Sequence, residues 1–212
     1  MSQIVSVNVG APRTVEWFGR QVRTAIWKSP VPGSVALRGV NFDGDDQADR
    51  RVHGGPDMAV YAYAHEDYSW WSDELGSVVA SGTFGENLTT DGLDLMACVV
   101  GERWRVGSAE LEVSQPRMPC FKLGIRMGDA AFVDRFDDAM RNGAYLRIVR
   151  EGSVKSGDDV TIVDRPSHGL CVRDIVVAYH TRDDTLVQRM LDVPAVPRSW
   201  QVWAERAMES RT

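Results

Sequence analysis

The sequence predicts a mainly β protein with helices: a β-barrel with peripheral helices, followed by a small three-helix tail. Three observations carry that expectation. Short β-rich runs separated by Gly, Pro and other turn residues recur from residue 4 to residue 163. Helical periodicity interrupts them in only a few places, and near Arg165-Pro166 the texture changes to three consecutive helical patterns. At 212 residues, one large domain with an appendage is the expected organisation. With 43% apolar and 25% charged residues, a disordered chain, a collagen and a coiled coil are excluded.

Taken in order, the runs Ile4–Val9, Thr14–Trp17, Gln21–Lys28 and Ser34–Leu37 read as strands joined in hairpins, with Phe18-Gly19-Arg20 as a tight turn. Asn41–Asp57 is a long loop of Asp, Gly and Arg, a type of segment that is usually functional or mobile. Met58–Ala64 is a strand. His65–Leu75 is a helix, with Tyr68, Trp71 and Leu75 on one face. Turn-rich sequence covers Ser81–Gly92. Strands return at Cys98–Val100, Arg103–Val106 and Ala109–Ser114. Asp129–Asn142 has the pattern of an amphipathic helix, with Phe132, Val133, Phe136 and Met140 aligned and Asn142-Gly143 as its stop. Tyr145–Arg150 and Asp159–Val163 complete the β region. The tail helices are expected at Val172–His180, Asp184–Leu191 and Pro197–Met208, so the domains divide as 1–165 and 166–212. A tail this small buries little core alone. It is expected to pack on the barrel or on a second subunit, which makes a homodimer plausible.

The net charge of −6 argues against a nucleic-acid partner held by bulk positive charge. The N-terminus has no signal-peptide pattern, and no apolar run approaches the ~20 residues a membrane span needs. The expectation is a cytoplasmic protein. The three cysteines, Cys98, Cys120 and Cys171, form no CxxC pair, so a reducing compartment fits better than a disulfide framework. Cys98 lies in an apolar strand and reads as core. Cys171 has no cationic cluster and reads as structural. The four aspartates Asp43, Asp45, Asp46 and Asp49 lack the EF-hand spacing and read as a solvated loop.

Charge is uneven. Residues 61–164 sum to −8, yet Val113–Arg126 (VSQPRMPCFKLGIR) carries Arg117, Lys122 and Arg126 and no acid. A cysteine among cations is the setting that makes a thiolate available. In Gln115-Pro116-Arg117-Met118-Pro119-Cys120-Phe121-Lys122 two prolines stiffen the approach to Cys120, as a metal ligand or a nucleophile would need. Three other segments stand beside it. Arg51-Val52-His53-Gly54-Gly55-Pro56-Asp57 could hold an anion on exposed amides, or be a plain turn. Phe84-Gly85-Glu86-Asn87-Leu88 offers hydrogen bonders beside a glycine, or a turn entering a strand. Lys28 ends an apolar strand and could simply snorkel to solvent.

In combination, Lys28, HGGPD, FGENL and QPRMPCFK in this order resemble the MOSC domain, and the helical tail resembles its YiiM-like branch. The resemblance spans nearly the whole chain. It implies a MOSC-type β-barrel that binds the molybdenum cofactor, with Cys120 at the position of the thiolate that ligates molybdenum. It further implies reduction of N-hydroxylated compounds, such as hydroxylaminopurines and amidoximes, with a separate flavoprotein as electron donor. On that reading His53 is the proton donor. Arg117 and Lys122 would favour the Cys120 thiolate and screen charge. Lys28, Arg51, Gly54 and Gly55 would contact phosphate or pterin, and Asn87 and Gln115 the pterin edge. The alternative is a non-redox protein that carries the cofactor, or a persulfide on Cys120. No GxGxxG follows a strand, so no nicotinamide or flavin site is expected within the chain.

Overall fold

The computed structural model describes residues 1–47 and 54–209. In β1 (Gln3–Val9), Ile4 and Val7 enter the core. β2 (Arg13–Trp17) and β3 (Arg20–Thr24) form a separate hairpin about Phe18 and Gly19, whose positive φ values of 49° and 72° suit a two-residue connection. β4 (Ser29–Pro30) pairs with the end of β1, and β5 (Val35–Arg38) pairs with β6 (Asn41–Phe42). β7 (Val60–Ala64), α1 (His65–Leu75) and β8 (Leu88–Asp91) then make a crossover unit in which β7 and β8 are parallel. β9 (Arg103–Val106) and β10 (Ala109–Pro116) form a hairpin, followed by α2 (Phe121–Met127) and α3 (Phe132–Asp138). β11 (Ala144–Arg150), β12 (Gly152–Val154) and β13 (Val160–Asp164) end the β region. The tail holds α4 (Val172–Thr181), α5 (Asp184–Asp192) and α6 (Arg198–Glu209).

The large sheet has eight strands in the order β13-β9-β10-β11-β7-β8-β1-β4, and β12-β5-β6 form a second, three-stranded sheet. The large sheet curls until its ends touch. Asp159 bridges Gln3, Ile4 N–H donates to the Asp158 carbonyl at 2.9 Å, and Val160 N–H donates to Ser2 at 2.8 Å. Among the described residues the contact is this short seam rather than a full ladder, so the observed architecture is a mixed α/β fold around one large curled sheet.

Several elements differ from expectation for identifiable reasons. β8 lies inside the stretch read as turns. Its Thr89 and Thr90 are fully buried, so a strand covered on both faces looks polar in sequence. α2, directly after Cys120, was not expected. The helix expected over Asp129–Asn142 contracts to Phe132–Asp138. The expected strand Cys98–Val100 is a single bridge from Val99 to Cys171. The strand expected to reach Lys28 stops at Thr24.

Three clusters make the interior. One fills the curled sheet around Leu88, Trp104, Leu111 and Leu146. A second, in the tail, gathers Ile175, Val187, Met190 and Ala204 and includes Val100 from the sheet side. The third is aromatic: Tyr63, Tyr68, Trp71, Phe84, Phe132 and Phe136 lie between β7 and helices α1–α3. Phe84 is fully buried, stacked on Tyr68 with ring centroids 5.1 Å apart and tilted against Tyr63 at 5.0 Å.

Glu86 lies beside that cluster, fully buried. Its Oε1 accepts from Tyr68 Oη at 2.6 Å, Gly82 N–H at 2.5 Å, Thr89 Oγ1 at 2.9 Å and, more weakly, Asn8 Nδ2 at 3.5 Å. Its Oε2 has no partner among the described residues. Burial raises its pKa, against the pull of these hydrogen bonds.

Two predictions follow from this packing. Phe84→Ala should destabilise the chain by about 3–5 kcal/mol, read as a lower urea midpoint at unchanged slope. Glu86→Gln tests the buried carboxyl. A raised folded pKa means the folded state binds more protons than the unfolded state, so this group costs stability once pH rises above its unfolded value of about 4.3. Relative to the parent, the Gln variant should therefore gain stability as pH rises above about 4.5 in paired urea titrations. A constant difference as pH rises would refute the assignment.

Candidate functional site

The segment 26–28 forms one wall of a cleft because two glycines let it pass. A Cβ on Gly10 would stand 2.2 Å from the Trp27 carbonyl oxygen, and one on Gly82 would stand 2.5 Å from that of Lys28. Lys28 emerges between them with its side chain almost buried, ion-paired with Asp45. The Asp45 carboxylate also accepts from Gly10 N–H at 2.9 Å and from Asn87 Nδ2 at 2.8 Å. Burial lowers the Lys28 pKa, and the Asp45 charge and hydrogen bond oppose that shift. The loop aspartate read as solvated is thus a buried anchor. Nothing in the sequence separates it from its neighbours Asp43 and Asp46.

Asn87 leads into β8. Its Oδ1 accepts from Tyr61 N–H at 3.1 Å and its Nδ2 serves Asp45 and the Asn8 carbonyl. It lines the cleft, but its amide is largely committed to holding the walls.

β10 supplies the opposite wall. It ends at Pro116, and the chain then runs through Arg117 to Cys120, which takes the extended N-cap conformation of α2. Cys120 is partly exposed, and none of the three cysteines is in a disulfide. Arg117 is buried at 5% exposure, its guanidinium carbon 5.6 Å from the Tyr61 ring and 5.2 Å from the Phe136 ring. Its Nη1 has no hydrogen-bond partner among the described residues. Burial opposes the Arg117 charge, but the net direction is upward and the guanidinium stays protonated. Burial pushes the phenols of Tyr61 and Tyr145 upward, so both stay as O–H groups.

These walls border an open cleft. Lys28, Asn87, Arg117, Cys120 and Lys122 all line it, together with Asp45, Tyr61 and Tyr145. Five residues drawn from three separate motifs therefore converge. Tyr61 and Tyr145 were missed because aromatic residues in apolar strands carry no chemical signal of their own. Gly54 and Gly55 lie just behind the lining. Gly55 N–H donates to Gln47 Oε1 at 3.3 Å, and it is Gln47, Met58 and Ala59 that face the cleft. Arg51 and His53 fall outside the described residues.

Gln115 corrects an expectation. The β10–β11 register shifts between Val113 and Gln115, and this irregularity re-aims the side chain. Gln115 does not line the cleft. Its Oε1 accepts from Trp200 Nε1–H at 2.6 Å, and its Nε2 donates to the Asp57 carbonyl at 3.2 Å.

The remaining cysteines and histidines have local tasks. Burial raises the Cys98 thiol far above its ordinary range. Cys171 caps α4 in a reciprocal arrangement with Asp174. His168 Nδ1 accepts from Leu170 N–H at 3.1 Å, and His180 lies 3.5 Å from Asp137. Among the described residues no three His, Cys, Asp or Glu side chains converge as a metal set, and no helix is long and apolar enough to cross a membrane.

With this geometry in place, comparison with known proteins is informative. A MOSC domain model matches residues 49–161. The uncharacterized protein YflK of Bacillus subtilis (strain 168) is 36% identical over 200 residues, which is 93% of this chain and 90% of that protein. A protein named as a reductase from Gibberella moniliformis (strain M3125 / FGSC 7600) is 31% identical over 153 residues, covering 70% of this chain but 27% of its own length. The crystal structure of YiiM from Geobacillus stearothermophilus superposes with a TM-score of 0.82 at 29% identity, covering 98% of this chain and 99% of that one. The chain belongs to the MOSC domain family and is YiiM-like.

Proposed function

We propose that this protein is a molybdenum-cofactor-dependent reductase of N-hydroxylated compounds. The observation that carries the proposal is the cleft itself. A partly exposed Cys120 stands beside a buried Arg117 whose Nη1 lacks a partner, across from Lys28 and next to Lys122. A buried donor without an acceptor is costly to leave unpaired, and an anionic ligand would satisfy it. The donor set fits the cofactor in a second way. One cysteine cannot hold a metal alone, so a metal at Cys120 must bring its own ligands, and a dithiolene-bearing pterin with a phosphate does so. The reductase name of the Gibberella relative points the same way.

When bound, the cofactor would supply two-electron redox chemistry at its metal. This chain's residues then have separable tasks. The Cys120 sulfur is a soft ligand, and Arg117 offsets its negative charge from a site where water cannot screen it. Lys28, turned into place by Asp45, and Lys122 offer N–H donors to an anionic group. Tyr61 and Tyr145 border the same space as phenols, Tyr61 with its O–H donated to the Asn142 carbonyl at 2.8 Å. His53 would donate a proton to the oxygen that leaves as the N–O bond breaks. The overall change is balanced: R–NHOH takes up two electrons and two protons and gives R–NH2 and water. A separate flavoprotein would supply the electrons.

The test is to purify the protein from cells that make the cofactor, measure molybdenum and pterin, and assay a hydroxylaminopurine with an artificial electron donor. Near one molybdenum per chain with turnover supports the proposal. A persulfide on Cys120 without molybdenum or turnover identifies a carrier instead. Cys120→Ala should lose both metal and reduction while its thermal transition stays close to the parent's, and full activity in that variant would refute the ligand role. His53→Ala should lower turnover by about 10²–10⁴-fold with metal content maintained. Equal loss of both would make His53 a cofactor contact.

A further inference from the structure

The tail contributes no lining residue to the cleft, yet two of its groups grip the two segments that frame it. Trp200 of α6 donates its indole N–H to Gln115 Oε1 at 2.6 Å, and both residues are buried. Gln115 stands two residues before Arg117 and five before Cys120. Its Nε2 reaches across to the carbonyl of Asp57, the last residue of the HGGPD segment, at 3.2 Å. Ser114 Oγ donates to the same carbonyl at 2.5 Å. From the other side, Arg147 bonds the Ala195 carbonyl at 2.9 Å and the Asp57 carboxylate at 2.6 Å. The turn after HGGP and the strand before PRMPC are therefore fastened to each other and to the tail.

We propose that Trp200 is a positioning residue for the Cys120 site: its indole N–H orients the Gln115 amide, which sets the spacing between the Cys120 loop and the segment at Asp57. The proposal rests on the reading of Cys120 as the working thiol. A glutamine amide presents an acceptor at one end and a donor at the other. Nε2 points at the Asp57 carbonyl only while Oε1 has a donor of its own, and Trp200 is that donor. Without it the buried Oε1 is unpaired and the amide has no reason to keep its orientation. The disturbance does not dissipate before Cys120, because Pro116 and Pro119 each fix φ along the connecting stretch.

Trp200→Phe removes the N–H and keeps an aromatic ring against Tyr179 and Trp203, which lie 5.8 and 5.7 Å away between ring centroids. Gln115→Met removes both amide bonds at similar volume. The measurement is the iodoacetamide alkylation rate of each cysteine, resolved by mass spectrometry, at one fixed pH in protein prepared without cofactor. Cys171 pairs with Val99 in the bridge at the root of the tail and Cys98 adjoins it, so the two report general loosening. The expected result is a change of about threefold or more at Cys120 in both variants, with Cys98 and Cys171 unchanged. A Cys120 rate that stays at the parent value in either variant, or that moves in step with the other two, overturns the proposal. This readout needs no cofactor. Failure of the parent protein to bind molybdenum would sink the proposed function and leave the alkylation result standing.

Discussion

A carboxyl buried with no salt-bridge partner among the described residues governs much of this structure. Glu86 concentrates donors from four places on one oxygen: Tyr68 of α1, Gly82 of the connecting loop, Thr89 of β8 and Asn8 of β1. Each donor would otherwise be a buried polar group in need of a partner, so the carboxyl and its surroundings satisfy one another or fail together. Asn87, its neighbour in sequence, does the same on the cleft side by joining Tyr61, Asn8 and Asp45. The two consecutive side chains thus tie the parallel β7–β8 pair to β1 and to the loop carrying Asp45. Within FGENL, Glu86 gathers buried donors while Phe84, Gly85 and Asn87 line the cleft.

How far sequence reasoning reached follows from this arrangement. Lys28, Asn87, Arg117, Cys120 and Lys122 were found in sequence, because charged and sulfur-bearing residues beside glycine and proline are unusual enough to notice. Asp45 was not, because its role depends on which of several loop aspartates turns inward, and that is set by Lys28 and Gly10 more than 15 residues away. β8 was hidden because threonines buried on both faces score as polar. α2 was hidden because Phe121–Met127 is only seven residues long and mixes its apolar face with Lys122 and Arg126. Gln115 was read as a pterin contact from the family resemblance alone, whereas its amide is committed to Trp200 and Asp57.

The charge pattern also changes meaning in three dimensions. The net −6 and the acidic middle of the sequence describe the surface and say little about the cleft. Of the cations found there, Lys28 is already matched by Asp45. Arg117 is different: it is buried against aromatic rings, and its Nη1 lacks a partner among the described residues. In a low-dielectric setting a positive charge held this way acts strongly over a short range, and Cys120 is the nucleophilic group within that range. Lys28 is thus held by a carboxylate, whereas Arg117 is held by aromatic rings and by Tyr145.

The register shift on β10 then acquires a reason. A strand with strict alternation would point Gln115 to one face and leave the following residues to continue the same surface. Here the irregularity between Val113 and Gln115 divides the end of β10 between two duties. Ser114 and Gln115 turn toward Asp57 and the tail, while Arg117 and Cys120 turn into the cleft. One strand end can thereby serve as the mooring for α6 and as the support of the reactive loop, with two prolines keeping the two duties in fixed relation. The small helical tail is joined to the site through this mooring, without lending it a single lining residue.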